Sequence, residues 1–135
     1  MAENCIFCSI LAGDMPGEVV QEDEHTVAFM DIQPWTRGHA VVIPRRHVAN
    51  LYEIEDDELA RVNAAGRRLA LRMRDNLGAD GVNLLNSTNS AAWQTIFHFH
   101  LHVIPRYEGD PLRLPTQPAK VDPEEMARVA GEIRG

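Results

Sequence analysis

The run His98-Phe99-His100-Leu101-His102-Val103-Ile104 carries a histidine at every second position. Strand side chains alternate between two faces. A strand here therefore puts His98, His100 and His102 on one face and Phe97, Phe99, Leu101 and Val103 on the other. The apolar face anchors the strand on a core, and the imidazole row becomes a surface for metal, phosphate or proton chemistry. Histidine suits all three: it titrates near neutral pH, attacks as a nucleophile when neutral, and ligates metals. The chain has only six histidines, and three in one row point to a site, because functional sites gather titratable groups.

The rest of the chain frames this row. A length of 135 residues suits one domain able to bury about two-thirds of its unfolded surface. The net charge of −7 disfavours a nucleic-acid-binding surface, although a local pocket can still take a small phosphorylated ligand. No apolar run approaches membrane-span length, and Met1-Ala2-Glu3-Asn4 lacks a signal-peptide pattern. These features predict a cytoplasmic protein without a membrane partner.

Along the chain, Cys5–Leu11 leads into a turn at Gly13-Asp14-Met15-Pro16-Gly17. Strands are expected around Val19–Gln21 and His25–Met30, joined as a hairpin by Glu22-Asp23-Glu24. Another is expected over His39–Ile43, stopped by Pro44. Asp56-Asp57-Glu58 opens the strongest helix, since acids favour the positive end of the helix dipole. Its apolar positions Leu59, Val62, Gly66, Leu69, Ala70, Met73 and Leu77 recur at helical spacing, and Gly78 ends it. Gly81–Leu85 reads as a strand, 86–92 as a polar loop, and 94–104 as the histidine strand. Pro105, Pro111, Pro115 and Pro118 make the next stretch irregular. Asp122-Pro123-Glu124-Glu125 starts a short C-terminal helix.

Histidine and apolar residues in this order resemble the signature of the histidine-triad (HIT) family of nucleotide hydrolases and transferases. Other matches lie at matching positions: Cys5-x-x-Cys8, Ala28-Phe29-Met30-Asp31-Ile32, Gly38-His39-Ala40-Val41-Val42-Ile43-Pro44-Arg45-Arg46-His47, and Gln94 just before the triad. The resemblance implies an α+β, HIT-like fold: an antiparallel sheet of about five strands with one long helix, here followed by a short C-terminal helix. The whole chain, 1–135, is read as one HIT domain, with its core at 5–106 and a C-terminal extension at 107–135. The resemblance also implies a homodimer built through the long helix and an edge strand, and Gly66 on the apolar helix face is compatible with such a close approach.

The same resemblance assigns roles. His100 is the nucleophile that becomes nucleotidylated at the α-phosphate, its far ring nitrogen held by a carbonyl. His102 hydrogen-bonds the phosphate or the departing group, and Gln94 and Thr95 help hold the phosphate. Phe29 and Ile32 sandwich a purine base, and Asp31 accepts hydrogen bonds from the ribose. The loop position that commonly supplies an amide holds Ser87 here, with Asn86 one step away. Trp93 stands where the family has glycine, which reshapes the leaving-group side of the pocket or serves packing. His39 is expected to be buried and hydrogen-bonded behind the active strand, and His25 solvated. Arg45, Arg46 and Arg106 read as surface arginines or phosphate contacts.

The Cys5-x-x-Cys8 pair alone is ambiguous between a redox pair and half a zinc site. The parallel βαβ context of a thioredoxin-like motif is missing. His47 and His98 complete a Cys₂His₂ set, the arrangement found in family members with this N-terminal pair. A closed four-ligand zinc site is structural; the alternative is two buried free thiols.

The expected function is hydrolysis of a purine nucleoside monophosphate derivative, a phosphoramidate or adenylate, at the α-phosphate through a nucleotidyl-histidine. One alternative is dinucleoside polyphosphate hydrolysis, since the phosphoramidase branch usually ends soon after the triad whereas this chain runs on for 33 residues past His102. A second is a nucleotide-binding or scaffold module with incidental activity. A zinc module without catalysis leaves His100 and His102 unexplained.

Overall fold

The computed structural model describes residues 4–113 and 116–135; Pro115 and the N-terminal Met1-Ala2-Glu3 lie outside them. The element order is α1 (Ile6–Leu11), β1 (Val19–Glu22), β2 (Thr26–Met30), β3 (Ala40–Pro44), α2 (Asp56–Leu77), β4 (Gly81–Leu85), β5 (Leu101–Arg106) and α3 (Pro123–Arg134), with a single 3-10 turn at Ser90–Ala92. The strands form one antiparallel sheet in the order β1-β2-β3-β5-β4. This is the α+β architecture expected from the sequence.

Local chemistry explains the ends of these elements. Helix α2 starts in a capping box, with Glu55 and Glu58 each satisfying the other's backbone N–H, and stops at Gly78 in the left-handed conformation (φ 71°). Helix α1, a segment for which the sequence suggested no regular element, is initiated by the Cys5 thiol, which accepts the Cys8 N–H at 3.4 Å. Asp122 caps α3 through the Glu124 N–H.

The sheet separates two apolar clusters. One packs α2 (Val62, Ala65, Leu69, Met73) on Ala28, Ala40, Val42, Phe99, Leu101 and Val103. The other packs α1 (Phe7, Cys8) with Cys5 on Val27, Phe29, Val41 and Ile43. Gly66 lies where α2 crosses β5: a Cβ there would stand 2.7 Å from Leu101 Cδ2. The close approach this glycine permits is therefore inside the chain, between helix and sheet, and not between protomers.

Two further expectations change. Strand β5 begins at Leu101, not at Gln94, so His98 and His100 precede the strand. Pairing with β3 reaches only Val42↔Leu101. Two steps further back the partner would be Pro44, which has no N–H to donate, and Phe99 instead bonds the Val48 carbonyl (2.6 Å). Phe97 consequently leaves the apolar face and is 48% exposed, while Phe99, Leu101 and Val103 stay in the core. At the other end, β5 runs through Pro105, where irregular chain was expected. β3 no longer pairs there, and Thr36 Oγ1 donates to the Pro105 carbonyl (2.7 Å), so the missing N–H leaves no ladder bond unmade.

The C-terminal extension contributes α3, none of whose residues is buried. Among the described residues no helix is long and apolar enough to cross a membrane.

Candidate active site and metal cluster

The end of β3, the start of β5 and the segment before it converge on α1 and the 31–39 loop. Four donor atoms meet first: Cys5 Sγ, Cys8 Sγ, His47 Nδ1 and His98 Nδ1, all within 4.8 Å of one another. His98 Nδ1 lies 3.5 Å from Cys5 Sγ, 3.6 Å from Cys8 Sγ and 3.3 Å from His47 Nδ1, and Cys8 Sγ lies 3.4 Å from His47 Nδ1. A tetrahedron with Zn–N of about 2.05 Å and Zn–S of about 2.3 Å has edges of about 3.4 Å between nitrogens and about 3.6 Å between nitrogen and sulfur. The cluster thus has the spacing of a zinc ligand set. Its protonation agrees: His98 Nε2 donates to the Pro44 carbonyl (2.9 Å), so in the neutral ring the Nδ1 lone pair faces the cluster, as metal-ligating histidines require. Burial pushes His98 down to about 4, with the His47 and His100 charges adding to the effect and the Pro44 carbonyl opposing it.

His100 is held the other way round. Its Nδ1 donates to the His98 carbonyl (2.8 Å), which leaves Nε2 with the lone pair. Burial lowers its pKa, against the stabilising His98 carbonyl and the Asp31 charge. The ring is therefore neutral near pH 7, as nucleophilic attack needs. The edge of Phe7 packs on it (centroids 5.1 Å, 85°) and on His98 (5.9 Å, 72°). Asn86 Nδ2 donates to the His100 carbonyl (3.0 Å).

His102 owes its tautomer to a chain that starts in the backbone. The Trp35 N–H donates to His39 Nδ1 (3.0 Å), so neutral His39 carries its proton on Nε2. That Nε2 lies 2.9 Å from His102 Nδ1 and donates to it, which leaves His102 with its own N–H on Nε2. His39 is fully buried, as expected from the sequence. Burial lowers its pKa, while Asp31 Oδ2 at 3.6 Å opposes the shift. His102 is pushed down to about 4, by burial first and by the neighbouring His100 and His39 charges next. His100 and His102 thus stand edge to face, 4.9 Å apart, one with a lone pair on Nε2 and the other with an N–H there.

The remaining candidates fall into place around this pair. Asp31 lies 3.9 Å from His102 Nδ1 and accepts the Gln33 N–H. Phe29 is buried against Phe7 (5.2 Å, edge to face), whereas Ile32 is 88% exposed. Gln94 is buried, with both ends of its amide engaged: Oε1 accepts the Asn89 N–H, and Nε2 donates to the Ala49 and Ile96 carbonyls. Ser87 is buried and Thr95 exposed. Trp93 has φ 76°, the backbone a glycine adopts freely, so the chain keeps the glycine-like turn and points an indole, 62% exposed, out of it. Arg45, Arg46 and Arg106 are engaged with Asp23, Glu58 and Asp110 respectively. His25 is exposed, as expected.

Two residues join the site without having been read as part of it. Phe7 lies between the two cysteines, and metal-type spacing of Cys5 and Cys8 with His98 carries it towards the triad. Trp35 lies four residues before His39, within one turn of the loop that its N–H closes.

A backbone-oriented neutral histidine beside a second imidazole donor offers a nucleophilic lone pair and an N–H side by side. Among known proteins, residues 12–109 match the HIT domain model. The chain is 47% identical over 110 residues to Protein hit of Bacillus subtilis, covering 81% of this chain and 76% of that protein. Among solved structures, a Zn-bound histidine triad family protein from Mycobacterium smegmatis superposes with a TM-score of 0.79 at 42% identity, covering 93% of this chain and 88% of that one. A histidine triad nucleotide-binding protein from Candida albicans gives 0.82 at 29% identity, covering 97% and 95%. This chain belongs to the HIT family.

Proposed function

We propose that the protein hydrolyses a purine nucleoside monophosphate derivative, a phosphoramidate or adenylate, at its α-phosphate. The observation that carries this reading is the complementary pair of tautomers on His100 and His102. His100 Nε2 attacks phosphorus, and the charge that develops on its ring is stabilised at Nδ1 by the His98 carbonyl. The bond from phosphorus to the leaving group breaks, and the leaving atom, steadied by the His102 Nε2–H, takes up a proton from solvent. Water then cleaves the nucleotidyl-histidine, releasing the monophosphate and restoring His100. Asp31 receives the ribose hydroxyls, Phe29 and Ile32 the base, and Asn86, Ser87 and Thr95 line the approach to the phosphate. Gln94 acts here by bracing the 89–96 loop beside that phosphate. The nucleotide-binding title of the Candida albicans neighbour supports the ligand class.

Cys5, Cys8, His47 and His98 would hold a zinc ion, which would supply a structural cross-link between α1, the segment after β3 and the segment before β5. It would thereby fix the His98 carbonyl that orients His100. The Zn-bound title of the Mycobacterium smegmatis neighbour supports this assignment.

The protein acts as a homodimer. The outer edge of β4 is unpaired in the sheet and Leu84 on it is exposed. A mass near twice the 15.1 kDa chain in light scattering checks this.

The function is tested by incubating the pure protein with adenosine 5′-phosphoramidate and, separately, with a diadenosine polyphosphate, with His100→Ala in parallel. AMP release and a nucleotidyl adduct, both lost in the variant, are expected; the faster substrate assigns the branch. AMP binding without turnover of either substrate would overturn the enzymatic reading in favour of a nucleotide-binding module.

A further inference from the structure

Trp35 is the aromatic residue nearest the proton-bearing side of the triad, and neither apolar cluster uses it. Its indole lies nearly parallel to the His102 ring (centroids 5.4 Å, 15°) and close to His39 (5.2 Å, 53°). The backbone that carries the ring is held: the Trp35 main-chain N–H donates to His39 Nδ1. The next residue, Thr36, is buried and bonded to the Pro105 carbonyl and accepts the His39 N–H (3.2 Å). Pro34 stiffens the approach from the other side. Even so, the side chain is 44% exposed. A large, rigid, half-open indole stacked on an imidazole is a poor use of apolar surface for folding alone. It is the geometry of a stacking shelf, rigid at low conformational cost and with free π-surface.

The position of the shelf decides what it meets. His102 presents its Nε2–H to the departing group, and Trp35 flanks that imidazole. A leaving group hydrogen-bonded to His102 therefore sits beside the open part of the indole. We propose that Trp35 is a specificity-determining residue that selects nucleotide derivatives whose leaving group carries a planar aromatic ring. The inference rests on the hydrolase reading above and adds the chemical class of the leaving group to it.

The test compares two substrates of similar size and apolarity: adenosine 5′-(N-benzyl phosphoramidate), with a planar ring, and adenosine 5′-(N-cyclohexylmethyl phosphoramidate), with a puckered one. Taking the ratio of kcat/KM within each protein cancels the intrinsic difference in leaving-group chemistry. The wild type is expected to favour the benzyl substrate, and Trp35→Ala to lower that ratio about tenfold, the size of one base–aromatic stack. Trp35→Phe, which keeps a flat ring, should restore most of it. Equal losses on both substrates in Trp35→Ala would mark the indole as a mere cover for His102 and overturn the proposal, as would an unchanged ratio.

A second readout does not depend on turnover. The chain has two tryptophans, so Trp93→Phe leaves Trp35 as the only reporter. Saturating benzyl compound should change its fluorescence while the cyclohexylmethyl compound leaves it as AMP does. A differential change without turnover keeps the shelf and discards the hydrolase. Turnover without any differential change discards the shelf alone.

Discussion

His98 and His100 are two residues apart and both buried, yet the structure fixes them in opposite tautomers. His98 donates through Nε2 to Pro44 and turns the Nδ1 lone pair towards two thiols and a second imidazole. His100 donates through Nδ1 to the His98 carbonyl and keeps its Nε2 lone pair for substrate. In the first cluster two sulfurs and two imidazole nitrogens converge at the spacing of a zinc ligand set. Beside His100, the lone pairs of His39 and His102 are each paired with a donor, from Trp35 to His39 to His102, and the sequence of bonds ends in a free N–H. The choice of backbone carbonyl, not the residue type, separates the proposed ligand from the proposed nucleophile.

The sharpest way to break this comparison is to remove His100. His100→Ala should lower hydrolysis at least about 10³-fold, as loss of a nucleophile does in a cooperating set, while zinc content measured by atomic emission stays near one per chain. Loss of both together would show that the two clusters are one unit.

The converse experiment removes a ligand. Cys8→Ala should bring zinc well below one per chain and lower Tm by at least about 10 °C, given about 3–6 °C per kcal/mol in a domain of this size. Activity should fall with it, because the His98 carbonyl loses its anchor. An unchanged Tm with and without a chelator would leave Cys5 and Cys8 as ordinary buried thiols.

On the proposed mechanism His39 is a positioning residue that acts on substrate only through its bond to His102. His39→Asn should reduce kcat about 10–100-fold with a smaller change in KM, and the acid limb of the pH–rate profile should move because His102 loses its partner. A KM effect alone would assign His39 to nucleotide binding.

The linkage of His102 to folding has a definite sign. Its folded pKa of about 4 lies below the unfolded value of about 6.5, so the unfolded chain binds the proton more readily. The contribution is fully present above about pH 6.5 and is lost as pH falls towards 4, at most about 3 kcal/mol. Denaturant midpoints between pH 7 and 4 should therefore fall less steeply for His102→Asn than for the wild type.

The smallest effect expected is at Gly66. Gly66→Ala drives a Cβ to 2.7 Å from Leu101 Cδ2 and should cost about 1–3 kcal/mol by overpacking, without altering the dimer mass. A change in assembly instead of stability would return this glycine to a subunit interface.

Much of this was legible in the chain. The helix over 56–77 announces itself through acids at its start, apolar spacing and Gly78, all local signals that packing did not override. The hairpin of β1 and β2 and strand β4 follow from alternation and turn residues, and the grouping of Cys5, Cys8, His47 and His98 from the family resemblance. What failed to carry over was non-local. The histidine row ends as a strand at Leu101 because Pro44, on another strand, has no N–H to offer. Gly66 faces Leu101 because the helix crosses β5 at that point, which no helical periodicity encodes. Trp35 and Phe7 enter the site only when the sheet brings segments from far along the chain together.

The sequence by itself determined which atoms are available: six imidazoles, two thiols, and the alternation that places His100 and His102 near one another. Only the tertiary structure decided which nitrogen of each ring bears the proton. That choice depends on carbonyls and N–H groups of residues such as Pro44 and Trp35, whose positions are set by the packing of the whole sheet.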